Sequence, residues 1–149
     1  NYNVIRYADV LLMAAEALVE TGDLLTALDY VNQVRIRAKN STYVPTVEGV
    51  NPTNYEIEPY PDFPNQDFGR KAVRFERRLE LAMEGHRYFD LTRWGILEET
   101  INTYFPNEER TIPGIDLGIQ ALPKHNVFPI PLEAIDLSNG VLTQNPEWQ

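Results

Sequence analysis

One stretch, FERRLELAMEGHRYFDLTRWG from Phe75 to Gly95, constrains the fold more than any other. Ala72, Phe75, Leu79, Ala82, His86, Phe89 and Arg93 recur at alternating steps of three and four. That spacing predicts one stripe on a helix, or on two helices in line. Charge runs beside the stripe. Arg77 and Glu80, Glu84 and Arg87, Arg87 and Asp90, and Asp90 and Arg93 are i,i+3 pairs. Exposed pairs of this kind contribute only a few tenths of a kcal/mol each. Seven of the thirteen Lys and Arg lie between Arg70 and Arg93, with only four acids. Some arginines therefore need partners from elsewhere in the fold. The pattern reads as a structural ion-pair lattice of Glu76, Arg77, Arg78, Glu80, Glu84, Arg87, Asp90 and Arg93 under aromatic cover, joining one helical layer to the next. An ordinary amphipathic helix explains the stripe, but explains less well the bulky Tyr88, Phe89 and Trp94 among the charges.

The 149 residues suffice for one domain with a sizeable core. Apolar content of 43% and charged content of 23% are globular values. A net charge of −9 argues against a nucleic-acid or anionic-membrane surface. No apolar run approaches the roughly 20 residues that span a bilayer. Cysteine is absent, so there is no disulfide framework, thiolate zinc site or cysteine nucleophile. The chain starts at Asn1 without an initiator methionine, almost inside a helical pattern, and is expected to be a piece of something longer.

Val4 to Glu20 reads as a helix with Ile5, Ala8, Leu11, Leu12, Ala15, Leu18 and Val19 inward. Gly22 suits the left-handed position past its end, and Asp23 suits the N-cap of the next helix. That helix runs from about Leu24 to Ala38, with Leu24, Leu28, Val31 and Val34 inward. So short a turn predicts an antiparallel pair, and the Ala15-to-Leu28 order looks like the middle of a tetratricopeptide repeat. Residues 40–67 differ: five prolines exclude helix and central strand. This Pro-rich acidic loop has five acids, no Lys or Arg, and four aromatics, Tyr43, Tyr55, Tyr60 and Phe63. Core helices are expected over 68–105, interrupted at Gly85, with a short helix over Leu97–Phe105. Pro106 to Lys124 reads as irregular, Pro131 as the start of a short turn to Asp136, and the end as a polar tail. No segment alternates over six residues, so little or no sheet is expected. The predicted fold class is all-α, with tetratricopeptide-like helix pairs and long irregular loops.

Three stretches, RYADVLLMAAEALVETGD with ALDYVNQVRIRA, then ERRLELAMEGHRYFDLTRWG, then FPIPLEAIDLSNGVLTQNPEW, together resemble the C-terminal region of the SusD/RagB family. These are glycan-binding outer-membrane lipoproteins of Gram-negative bacteria. Met83, Thr92, Phe128 and Glu147 depart from the family's usual residues, mostly conservatively for packing. The resemblance implies a lipid-anchored protein on the cell-surface face of the outer membrane, with the anchor in a missing N-terminal part. It implies capture of an oligosaccharide ligand for a SusC-like TonB-dependent transporter, without catalysis or cofactor. The family's glycan contacts lie on variable loops, so the motif residues carry over as scaffold alone.

The residues themselves leave alternatives. Glu76, Glu80 and Glu84 share a helical face, and paired carboxylates can act as acid and base. The Glu-x-x-His spacing of di-iron bundles is missing, since Met83 follows Glu80 by three. With His86 and His125 the only histidines, a metal site is poorly supplied. Ion pairing is the simpler fate of these acids, and His86 and Trp94 read as core. Glu56, Glu58 and Asp62 lack calcium-loop spacing. Sugars need aromatic platforms beside polar side chains, and Asn54, Tyr55, Tyr60, Asp62 and Phe63 form the candidate glycan-binding set. The same rings would also serve simply to pin the loop to the helices. Two other functions stay open: a tetratricopeptide-type protein-interaction scaffold without glycan binding, and a glycoside hydrolase using Glu80 and Glu84.

Overall fold

The turn at Gly22 sets the architecture in the computed structural model, which describes residues 5–51, 53–112, 114 and 118–149. Gly22 adopts φ 91° after helix α1 (Tyr7–Thr21). Its N–H donates to the carbonyl of Val19, and that of Asp23 donates to Leu18, which closes the helix end. Asp23 then caps α2 (Leu24–Lys39), accepting from the Thr26 amide at 3.1 Å. The two helices fold back on each other as the sequence predicts. The expected start at Val4 lies outside the described residues, as do Pro52 and Pro113.

Four further helices follow: α3 (Gln66–Glu80), α4 (His86–Arg93), α5 (Leu97–Thr111) and α6 (Leu132–Leu137), with 3-10 turns at Pro123–Asn126 and Pro146–Trp148. The fold is all-α, with no strand among the described residues. The chain divides into two compact units, Asn1–Gly85 and His86–Gln149.

The first unit is a three-helix core. Leu11, Leu12, Ala15 and Val19 of α1 meet Ala27, Val31 and Val34 of α2 and Ala72 and Val73 of α3, with Phe63 from the preceding segment. The inward face of α3 corrects the sequence expectation. Gly69, Ala72, Val73, Glu76 and Arg77 are buried, whereas Phe75 and Leu79 are 50% and 51% exposed. The helix places Glu76 and Arg77 inward beside Gly69, Ala72 and Val73, and leaves Phe75 and Leu79 half outside. Pairing makes that possible. Arg77 donates to Asp9 of α1 at 2.8 Å, and both side chains are nearly inaccessible, at 4% and 6% exposed. Glu80, expected to pair with Arg77 along the helix, instead accepts from Arg6 at 2.5 Å and Arg37 at 2.6 Å. Small residues matter equally: at Gly69 an alanine Cβ would sit 3.1 Å from the Phe63 ring and 3.2 Å from a Val19 methyl.

The interruption expected at Gly85 divides the stretch between two helices. α3 ends at Glu80, and residues 81–85 form a turn with Met83 at φ 67° and Gly85 at φ 82°. In the second unit, Asp90 and Leu91 of α4, Leu97 of α5, and Ala121 are buried. Asp90 pairs with Arg93 at 2.9 Å, as the spacing predicts. Arg87 is half-buried and Arg78 exposed. His86 and Trp94 are half-buried rather than core; the Arg93 guanidinium lies over the indole, 4.9 Å from its centroid. Tyr88, Phe89 and Phe128 form an aromatic cluster with centroids 5.0–6.4 Å apart, and Tyr88 donates to the His125 carbonyl at 2.7 Å. Asn102 clasps the Ala121 backbone from both sides, at 3.0 and 2.8 Å. Trp148 donates to the Lys124 carbonyl at 3.0 Å.

Helix α5 runs to Thr111, past the expected end at Phe105, with Pro106 inside it. Proline keeps a helical φ and removes one backbone donor. The Asn107 amide bonds the Thr103 carbonyl beside it at 2.8 Å.

Gly69→Ala should destabilise the full-length protein by about 1 kcal/mol. Crowding of a packed core costs about 1–3 kcal/mol, and the gain in helix propensity offsets about 1 kcal/mol of it. Urea denaturation checks this, and a stabilised variant would contradict the close packing.

Candidate functional site

The loop expected over residues 40–67 is irregular over residues 41–51 and 53–65. Asn65 then caps α3, accepting from the Phe68 amide at 2.9 Å. Its second half is a strap lying along α2. Lys39 meets the Glu58 carboxylate at 2.6 Å, and Arg35 Nε donates to the Glu58 carbonyl at 2.7 Å. The Asn32 amide brackets the Tyr60 backbone, donating to its carbonyl at 2.9 Å and accepting from its N–H at 2.8 Å. Asn32, Arg35 and Lys39 stand at steps of three and four, one face of a helix. The strap therefore runs antiparallel to α2, and Phe63 at its end enters the core.

This geometry divides the five sequence-predicted residues. Phe63 is only 7% exposed. Tyr60 is half-buried, edge-on to Phe63 and Phe68 at 5.8 and 6.0 Å. These two rings support the strap. Asn54 and Asp62 are exposed and Tyr55 is half-exposed. Tyr55 stacks on Tyr43, with centroids 4.1 Å apart and planes 12° from parallel. Tyr43, outside the predicted set, also donates to the Lys39 carbonyl at 3.1 Å. The Asn54 amide donates to Glu56 at 2.6 Å. Tyr43 and Tyr55 are thus a stacked, partly buried pair, and the exposed Asn54 and Glu56 are Tyr55's neighbours in the chain. Tyr43 was a visible aromatic in the loop, but its pairing with Tyr55 is a tertiary fact that sequence spacing does not encode.

The charges behind the strap are organised around Arg35. Its Nη1 donates to the Glu76 carboxylate at 2.7 Å, and the guanidinium lies 4.6 Å from the Tyr60 ring centroid. Burial pushes the Glu76 carboxyl above its ordinary range; the Arg35 bond opposes this and the Glu80 charge adds to it. Burial likewise raises the Tyr60 phenol. At the α1 entry, hydrogen bonds from Arg6 to Glu84, and then to Glu80, raise the guanidinium pKa. Arg6 also donates to the Glu80 carbonyl. Glu76, Glu80 and Glu84, the candidate acid–base set, are all held by arginines. Among the described residues, no three His, Cys, Asp or Glu converge as a metal site, and no helix is long and apolar enough to cross a membrane.

Against known proteins, the SusD family model matches residues 1–148. The chain is 36% identical over 146 residues to SusD-like protein P25 of Formosa agariphila, covering 97% of this chain and 24% of that protein. It is 30% identical over 149 residues to SusD-like protein P2 of the same organism, covering 99% and 26%. A crystal structure of a SusD superfamily protein from Bacteroides vulgatus superposes with a TM-score of 0.67 at 33% identity, covering 99% of this chain and 28% of that one. The chain therefore spans about a quarter of the length of the relatives it matches.

Because ionising Glu76 is unfavourable in the fold, its contribution should lower stability as pH rises from its ordinary range through its raised folded value. The stability of the wild-type protein minus that of Glu76→Gln should then fall as pH rises above the ordinary carboxylate range, about pH 4. Urea titrations at successive pH values check the sign, and a rising difference would contradict it.

Proposed function

Since the chain belongs to the SusD family, we propose that the protein captures oligosaccharides at the cell surface, without catalysis, and delivers them to a SusC-like TonB-dependent transporter. A lipid anchor in the full-length protein holds it on the outer face of the outer membrane. The observation that carries the ligand assignment is the Tyr43–Tyr55 stack beside Asn54 and Glu56. Aromatic faces cover the apolar C–H faces of a sugar, and neighbouring polar groups replace the hydrogen bonds its hydroxyls lose. Asn54, Tyr55 and Asp62 are the contact residues in this reading, Tyr43 joins them, and Tyr60 and Phe63 position the strap beneath. No Lys or Arg occurs between Asn40 and Asp67, and five acids do. The strap itself therefore offers no cation for a sulfate or uronate, which favours uncharged sugars. The ion pairing of Glu80 and Glu84 supports a non-catalytic role: neither acid is available as an unpaired base.

Calorimetry of the full-length protein against neutral hexasaccharides of glucan, xylan and mannan type, and their sulfated counterparts, tests the reading. Binding should favour a neutral member, and Tyr55→Ala should weaken it about tenfold, the order of one aromatic contact. Absence of binding across the panel would overturn the glycan assignment.

A further inference from the structure

Three contacts meet at the Arg35 guanidinium. Nη1 donates to Glu76 of α3 at 2.7 Å, Nε donates to the Glu58 carbonyl at 2.7 Å, and the plane lies against the Tyr60 ring at 4.6 Å. The Arg35 side chain is 14% exposed; its bond to Glu76 is partly buried, and its bond to the Glu58 carbonyl lies at the surface. The other strap attachments differ. Lys39–Glu58 is an exposed pair of flexible side chains, a type that contributes little. Asn32 fixes the strap at Tyr60 alone. Arg35 fixes it at Glu58, three residues along the chain from Tyr55 and four from Asn54. It does so from a carboxylate on a third element, so strap, α2 and α3 share one joint.

We propose that Arg35 is a positioning residue of the sugar-contacting surface: by joining Glu76, the Tyr60 ring and the Glu58 carbonyl, it sets where the strap presents Asn54 and Tyr55. It touches no sugar and acts through the strap, and its link to ligand binding rests on the glycan reading above. A planar guanidinium is required. A lysine ammonium at this position can pair with Glu76, but it has no second nitrogen in a fixed fork and no flat face for the ring.

Arg35→Lys is the diagnostic variant, because it keeps a cation beside the buried Glu76 and so spares the core. Lys39→Ala is the control that removes only the exposed attachment. Hydrogen exchange of the full-length proteins is read at the Tyr60 amide and over α1–α3, and affinity is read with the neutral hexasaccharide that binds wild type most tightly. Arg35→Lys should speed exchange of the Tyr60 amide, which donates to Asn32, at least tenfold, leave α1–α3 protected, and weaken hexasaccharide binding at least fivefold; Lys39→Ala should do none of these. Unchanged strap exchange in Arg35→Lys would overturn the joint. Faster strap exchange with undiminished affinity would overturn the positioning role. Faster exchange in a protein whose wild type binds no hexasaccharide would support the joint and overturn the glycan reading on which its function rests.

Discussion

The first unit depends on one constraint: α3 buries charged side chains, Glu76, Arg77 and much of Glu80, beside its small apolar residues. A buried carboxylate or guanidinium left alone costs several kcal/mol, so each needs a partner with good geometry. Asp9 answers Arg77, Arg35 answers Glu76, and Arg6 and Arg37 answer Glu80. The partners come from α1, its entry, and α2. The pairings thus specify which helices meet and in what register, a task that interchangeable apolar contacts perform less strictly. The hydrophobic core of Leu12, Val19, Val31, Val34 and Val73 supplies bulk stability, while the ion pairs select the arrangement.

The same constraint reaches the candidate site. Glu76 holds Arg35, Arg35 holds the Glu58 carbonyl and the Tyr60 ring, and the strap they fix carries the tyrosine stack. The scaffold motif and the loop proposed to contact the ligand are therefore physically joined, although the proposed contact residues lie outside the motif.

Much of this was legible in the sequence. Gly22 and Asp23 marked the hairpin because a left-handed glycine followed by a capping acid has few other uses. The prolines between Asn40 and Asp67 marked the strap, and the excess of arginine over acid between Arg70 and Arg93 indicated partners on other elements. The inward face of α3 was not legible. Periodicity assigns Phe75 and Leu79 inward by hydrophobicity, and it cannot anticipate that Asp9, Arg35, Arg6 and Arg37 would be placed to neutralise the opposite face. The course of α5 through Pro106 escaped for a related reason: one lost backbone bond is a local signal, and it did not end the helix. At the candidate site, composition identified the loop, but the division between supporting rings (Tyr60, Phe63) and the stacked pair (Tyr43, Tyr55) depends on tertiary packing.

The central claim is that inward-facing charge pairs organise the first unit, and a double-mutant cycle on Asp9 and Arg77 tests it most directly. Urea denaturation of full-length wild type, Asp9→Asn, Arg77→Met and the double variant yields the coupling energy. The account predicts a coupling of about 2 kcal/mol or more, because either single change strands a buried partner. A coupling below about 0.5 kcal/mol, the value of an exposed surface pair, would contradict it.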